Sequence, residues 1–181
     1  MLTAGGHLVH CGLVHREAAR RLVHHLKYRG LLTAAAVLAE PMARALGGRA
    51  TVLIPVPRAT ARRLRYGVDP ADSLATAVGR LTGIPVARLL RPGLWWPRHA
   101  PRAPAERVAP LFVARGPAPV GAVLVDDVVR TGSTVEAAMR SLGGGDLSGL
   151  VASAPGTLAT QTWRPPGRLA SGDTAQTVVH L

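Results

Sequence analysis

The stretch Ala122-Val123-Leu124-Val125-Asp126-Asp127-Val128-Val129-Arg130-Thr131-Gly132-Ser133-Thr134 decides the fold. Four aliphatic residues in succession predict a strand buried on both faces, and such strands belong to parallel sheets covered by helices. The run ends in two adjacent carboxylates, two of only ten acidic residues in the chain. Placing both there is costly unless a ligand or hydrogen bonds use them. A small, hydroxyl-rich turn follows, and Ser133 with Glu136 has the spacing of a capping box, predicting a helix to Leu142. Backbone N–H groups at that helix start, with the hydroxyls of Thr131, Ser133 and Thr134, suit a phosphate. The acids stand one loop away, about the span of a sugar, so the local chemistry points to a phosphorylated ribose. The plainer alternative is a strand end followed by an ordinary helix cap. A P-loop is excluded because no G-x-x-x-x-G-K-S/T occurs, and no G-x-G-x-x-G follows a strand.

Working outward, Val14, Ala18, Ala19, Leu22, Val23 and Leu26 lie at helical spacing between charged residues, predicting an amphipathic helix over 13–28 closed near Gly30. Residues 31–46 read as a second helix that Pro41 should kink or divide. Thr51 to Val56 is a short strand leading into a loop stiffened by Pro55 and Pro57. Asp69 and Pro70 read as N-cap and first position of a helix to Leu81. Further strands are expected at Ile84–Leu90, Leu111–Ala114 and Leu150–Ala154, with a proline-rich loop over 92–110. No period is legible from 155 to 181. Alternating strands and helices imply an α/β domain, mainly a parallel sheet flanked by helices, with ligands at the carboxyl ends of the strands.

The chain of 181 residues fits one domain, and with aromatics at 3% its core must be aliphatic. An aromatic stacking platform for single strands is thereby excluded as the main device. The single cysteine, Cys11, excludes an internal disulfide and a four-thiolate zinc ribbon. His7, His10, Cys11 and His15 are too irregularly spaced to read as a metal site. No leader pattern or membrane-length apolar run is present, so a soluble, cytoplasmic protein is expected. Net charge is +12, and every basic residue except Lys27 is arginine. GC-rich coding accounts for part of that bias, yet so basic a chain attracts polyanions whatever its origin.

The segment from 122 to 134 resembles the thirteen-residue phosphoribosyl-diphosphate (PRPP) signature of type I phosphoribosyltransferases, with Arg130 where that pattern has Thr. Three other stretches match, in order and separation, elements of the ComF family of phosphoribosyltransferase-like competence proteins. They are His24-His25-Leu26-Lys27-Tyr28-Arg29-Gly30, Val52-Leu53-Ile54-Pro55-Val56-Pro57-Arg58 and Arg62-Arg63-Leu64-Arg65-Tyr66-Gly67. The resemblance spans residues 13–154. It departs where the family's zinc ribbon is absent, where Tyr66-Gly67 continues into Val68-Asp69-Pro70, and where a Gln expected around His99 is missing although Arg107 is present.

This resemblance implies a type I phosphoribosyltransferase fold: a helical hood over 1–50, a core over 51–154, and an extension of unknown role over 155–181. It implies transfer of phosphoribosyl from PRPP to a nitrogen acceptor with release of pyrophosphate, Mg²⁺ being bound through PRPP. Asp126 and Asp127 would take the ribose hydroxyls, and Arg130, Thr131, Gly132, Ser133 and Thr134 the 5′-phosphate. Pro55, Val56, Pro57 and Arg58 would face pyrophosphate, the two prolines holding backbone amides toward it. Lys27 is a candidate phosphate contact. Arg98, Arg102 and Arg107, on a loop with Trp95 and Trp96, would neutralise the leaving group, Arg107 being counted with the catalytic residues. The alternative is a non-catalytic factor for DNA uptake on the same fold, which binds single-stranded DNA or a protein partner and uses the arginines on a nucleic-acid backbone.

Overall fold

A computed structural model describes residues 8–46, 50–93, 112–145, 147–155 and 178–180. The elements are β1 (Leu8–Val14), α1 (Glu17–Arg29), α2 (Leu32–Ala45), β2 (Val52–Pro55), α3 (Thr60–Tyr66) and α4 (Pro70–Thr82). They continue with β3 (Leu90–Pro92), β4 (Phe112–Ala114), β5 (Ala122–Val128), α5 (Ser133–Ser141), β6 (Ser148–Ala154) and β7 (Val178–His180). The main sheet has the order β2-β5-β6-β1-β7. Its first four strands are mutually parallel, and β7 runs antiparallel on β1. β3 and β4 form a separate antiparallel pair. No helix among the described residues is long and apolar enough to cross a membrane.

Successive strand residues point to opposite faces, and here both faces are aliphatic. Leu53, Val123, Val125, Leu150 and Ala152 meet one helical layer, packing with Val23 and Leu26 of α1, Leu38 and Met42 of α2, and Leu74 and Val78 of α4. The alternate residues Val9, Ile54, Leu124 and Val151 meet Val135, Ala138 and Met139 of α5 on the other side. The expected parallel α/β sheet between helices is therefore present.

Several expectations shift. The first helix starts at Glu17, because Leu8–Val14 is a strand inside the sheet and residues 8–46 thus supply more than helices. Gly12 marks that strand: a Cβ there would lie 3.0 Å from the Met42 backbone nitrogen, so α2 crosses β1 closely. Helix α2 runs through Pro41 undivided, with Leu38, Ala39, Met42 and Ala45 buried on either side of it. Packing there outweighs the lost backbone bond. Residues 84–90 form no full strand; Leu53 N–H donates to Pro85 O (2.9 Å) and Ala87 N–H to Leu53 O (2.9 Å), a single bridge beside β2. The capping box does not form. Gly132, at φ 81°, holds the N-cap position of α5 without a side-chain bond, and Glu136 pairs with Arg140 instead.

Residues 84–87 reach β2 by folding tightly over α4 at Gly79. A Cβ on Gly79 would sit 2.8 Å from Ile84 O and 3.2 Å from the Val86 side chain. Replacing Gly79 by Ala gains about 1 kcal/mol of helix propensity but forces backbone apart at a cost of about 1–3 kcal/mol. Gly79→Ala is therefore expected to lower stability by about 1 kcal/mol in urea unfolding. A stabilised variant would contradict the close approach.

Candidate functional site

The carboxyl ends of β2 and β5 lie side by side, Pro55 in register with Val125. From β2 the chain turns outward to residues 84–87, then returns past β2 to β5 and continues to β6 on the other side. The crevice between β2 and β5 is thus a topological switch point, where open α/β sheets bind ligands.

Asp126 and Asp127 lie near the carboxyl end of β5, just past the last residue paired with β2. Asp127 is buried, and its Oδ1 lies 2.8 Å from Lys27 Nζ, an ion pair that is mostly out of solvent. Asp126 Oδ1 accepts the Asp127 backbone N–H at 2.7 Å. Burial, then the neighbouring Asp127 charge, push the Asp126 carboxyl well above the ordinary carboxylate range. The lone lysine of the chain therefore sits on one of the two acids, with its ammonium on carboxylate oxygen.

A chain of contacts extends from this pair. The Arg58 guanidinium donates to Lys27 O at 2.7 Å and lies over the rings of Tyr66 (4.7 Å) and Tyr28 (5.7 Å), which meet edge to face. The Arg58 backbone N–H donates to Asp69 Oδ2 at 3.0 Å. Asp69 takes the N-cap position of α4, but its side chain serves the β2 loop rather than the helix. Its Oδ1 is buried without a protein partner among the described residues, and burial raises its pKa.

These contacts correct the expectation for the β2 loop. Val56 N–H is already donated to Val125 O (2.9 Å), Arg58 N–H is held by Asp69, and prolines have no N–H. The backbone N–H groups of Val56 and Arg58 are thus already paired, and the polar side chain of the loop at this edge is the Arg58 guanidinium.

After β5, Val129 N–H donates to Ser153 O at 3.3 Å, which seats the turn against the end of β6. Arg130 and Thr131 are exposed, and Gly132 is buried in its left-handed conformation. The Thr131 and Ser133 hydroxyls lie 3.1 Å apart at the start of α5, where the first N–H groups of the helix lack intrahelical partners. Beyond it, His15 follows β1, its Nδ1 2.8 Å from Ser153 Oγ. Burial, then the charges of Lys27, Arg20 and Arg130, lower the His15 pKa against a smaller opposing effect of Asp127.

The structure thus gathers Lys27, Arg58, Asp126, Asp127 and the 130–134 turn at one edge of the sheet. Arg107, Arg98, Arg102, Trp95, Trp96, His7 and all of the extension but Pro155 and β7 lie outside the described residues. Sequence reasoning missed His15, Tyr28, Tyr66 and the contact of the Asp69 carboxylate with Arg58. The only available signal was that Asp69 is one of few acids. Comparison with known proteins finds no matching family model and no matching curated protein.

Two measurements check this geometry. A carboxyl whose pKa is higher in the folded state contributes its stability below the unfolded value of about 4 and loses it as pH rises toward the folded value. Asp126→Asn fixes the neutral form, so the melting temperature of the wild type should fall relative to this variant between pH 5 and pH 9. A pH-independent offset would contradict the raised pKa. Separately, Lys27→Met leaves Asp127 buried and unpaired, and is expected to cost about 2 kcal/mol at pH 7. Adding Asp127→Asn should recover most of that loss in urea unfolding, whereas simple additivity would show that the pair is energetically idle.

Proposed function

We propose that this edge of the sheet binds PRPP, and that the chain is a phosphoribosyltransferase of type I fold, akin to the ComF family. The observation that carries the reading is the placement of Asp126 and Asp127 at a switch point, one turn before the start of α5. Two adjacent acids ending a fully aliphatic strand are costly to folding, and a ribose diol is a ligand that uses both. The turn from Arg130 to Thr134, with a glycine at φ 81° that lets its backbone curl, suits the 5′-phosphate.

In this reading the diphosphate end of PRPP faces β2 and the Arg58 guanidinium. Arg58 is positioned by the Lys27 carbonyl and the two tyrosine rings, so little ordering is left to the moment of binding. Lys27 lies between the acids and that end; once ribose hydroxyls occupy Asp127, its ammonium is free to meet phosphate oxygen. Magnesium enters as part of the substrate, on the diphosphate. In the transfer, the acceptor nitrogen's lone pair forms the bond to ribose C1 as the C1–O bond breaks. Its electron pair leaves on pyrophosphate, and an N–H proton of the acceptor passes to water. The protein stabilises separating charge and supplies no nucleophile.

Non-catalytic single-strand binding draws support from α3, which buries no residue and exposes Arg62, Arg63 and Arg65. It gives the paired acids no task, since carboxylates repel a nucleic-acid backbone.

Asp126→Asn with Asp127→Asn is expected to abolish Mg²⁺-dependent PRPP binding in calorimetry while circular dichroism stays native. Arg130→Thr should weaken ribose 5-phosphate binding by about 1–2 kcal/mol, the size of one charge-assisted hydrogen bond. Undiminished PRPP affinity in a folded double variant would return the acids to a structural role.

A further inference from the structure

The large apolar side chains that this chain leaves in water are unevenly placed. Eight are exposed among the described residues, and five of them, Tyr28, Leu31, Leu32, Val37 and Leu64, belong to the end of α1, the first half of α2, and α3. Only Gly30 and Leu31 join α1 to α2, so Leu31 and Leu32 form a corner, Leu32 being 61% exposed. Leu31 holds the N-cap position of α2 with no side-chain bond. A serine or aspartate there would cap the helix, and leucine gives up that bond while facing water. Tyr28, one turn before the corner, meets Tyr66 at the end of α3 with 5.2 Å between ring centres, so the corner and α3 are neighbours. Helix α3 exposes every residue from Thr60 to Arg65, Leu64 to 79%.

The charge on this face has one sign. No acidic residue occurs from 18 to 39 or from 41 to 68, while Arg29, Arg62, Arg63 and Arg65 are exposed beside these apolar residues. Among the described residues, none of the four has a carboxylate within ion-pair distance. The counterpart must therefore be both anionic and apolar. A nucleic-acid backbone would answer the arginines and leave the leucines in water. A protein interface gathers its apolar residues into a charge-depleted centre, whereas here Arg29 stands two positions before Leu31, and Leu64 lies between Arg63 and Arg65. The headgroup boundary of a bilayer takes leucine and arginine side by side, without demanding a matching shape.

We propose that the corner between α1 and α2, together with α3, docks on an anionic lipid surface. Leu31, Leu32 and Leu64 enter the boundary between headgroups and acyl chains, and Arg29, Arg62, Arg63 and Arg65 meet the lipid phosphates. The docking is reversible, since three leucines bury too little to hold the chain without the charges. This face lies outside the acids and the 130–134 turn, so its assignment holds whatever the crevice binds.

The test is co-sedimentation of the full chain with vesicles of phosphatidylcholine alone, and of phosphatidylcholine containing about one-third phosphatidylglycerol. The mixed vesicles should be bound at least tenfold more tightly. Leu31→Ser with Leu32→Ser, at positions outside both apolar layers, should weaken that binding fivefold or more, and Leu32→Trp should tighten it threefold or more. Arg62→Gln with Arg63→Gln should weaken it tenfold or more, because each arginine near such a surface adds about fivefold. Equal binding to the two vesicles, or binding that neither leucine variant moves, would overturn the proposal, the second result showing only the attraction of a basic chain for polyanions. Absence of vesicle binding would overturn it as well. Oligothymidylate binding lost in the arginine variant would then assign the face to nucleic acid, and a dimer lost in the serine variant would assign it to a second copy.

Discussion

The contact between Lys27 Nζ and Asp127 Oδ1, 2.8 Å long and largely shielded from water, is the constraint around which this edge of the molecule is arranged. A buried carboxylate needs a partner, and the chain has one lysine to offer. Meeting that need fixes the last turn of α1 above the end of β5. The carbonyl of the same lysine then receives Arg58, whose amide is held by Asp69 at the start of α4. Four segments distant in sequence, the end of α1, the β2 loop, the start of α4 and the end of β5, are thus joined by one thread of alternating charge. Cation–π contacts of Arg58 with Tyr28 and Tyr66 stiffen its middle.

That thread gives the proposed reaction a built-in exchange. Asp127 is neutralised before any ligand arrives, and a ribose that takes Asp127 releases Lys27 toward the newly arrived phosphates. Charge is redistributed and neither ion is stranded, which keeps the desolvation cost of binding low. It also explains why arginine, abundant elsewhere in the chain, is absent from position 27: a compact ammonium on a flexible stem can change partners where a forked guanidinium would hold two oxygens at once.

How much of this was legible depended on the range of the interaction. β5 and β2 announce themselves because strands buried on both faces are written as unbroken aliphatic runs, and α4 because Asp69 and Pro70 mark its start. β1 was hidden by His10 and Gly12, which interrupt its apolar run, and α3 by having no buried face. The acids, the turn and Lys27 stood out as residue types. That Lys27 meets Asp127, a hundred positions away, has no local signature. Asp69 holds the N-cap position that its place before Pro70 announces, but the partner of its carboxylate has no local signature, because only tertiary structure turns it toward Arg58. Likewise the Ser133 and Glu136 spacing suggested a box, but Gly132 in the left-handed region starts the helix one residue earlier.

The position of β1 has a consequence for how the protein is made. Its parallel partner is β6, with Val9 opposite Gly149, and its other edge faces β7, with Val9 opposite Val179. Once made, β1 therefore has no strand neighbour until the ribosome has added roughly 140 residues more, an interval on the order of ten seconds at ordinary elongation rates. Meanwhile β2 has only the short bridge at residues 84–87 until β5 arrives, and the helices α1 and α2 have no completed sheet to cover. The apolar edge of β1 is exposed throughout this interval, so faster or slower translation of the stretch before β6 would alter how much of the newborn chain reaches its fold without a chaperone's help.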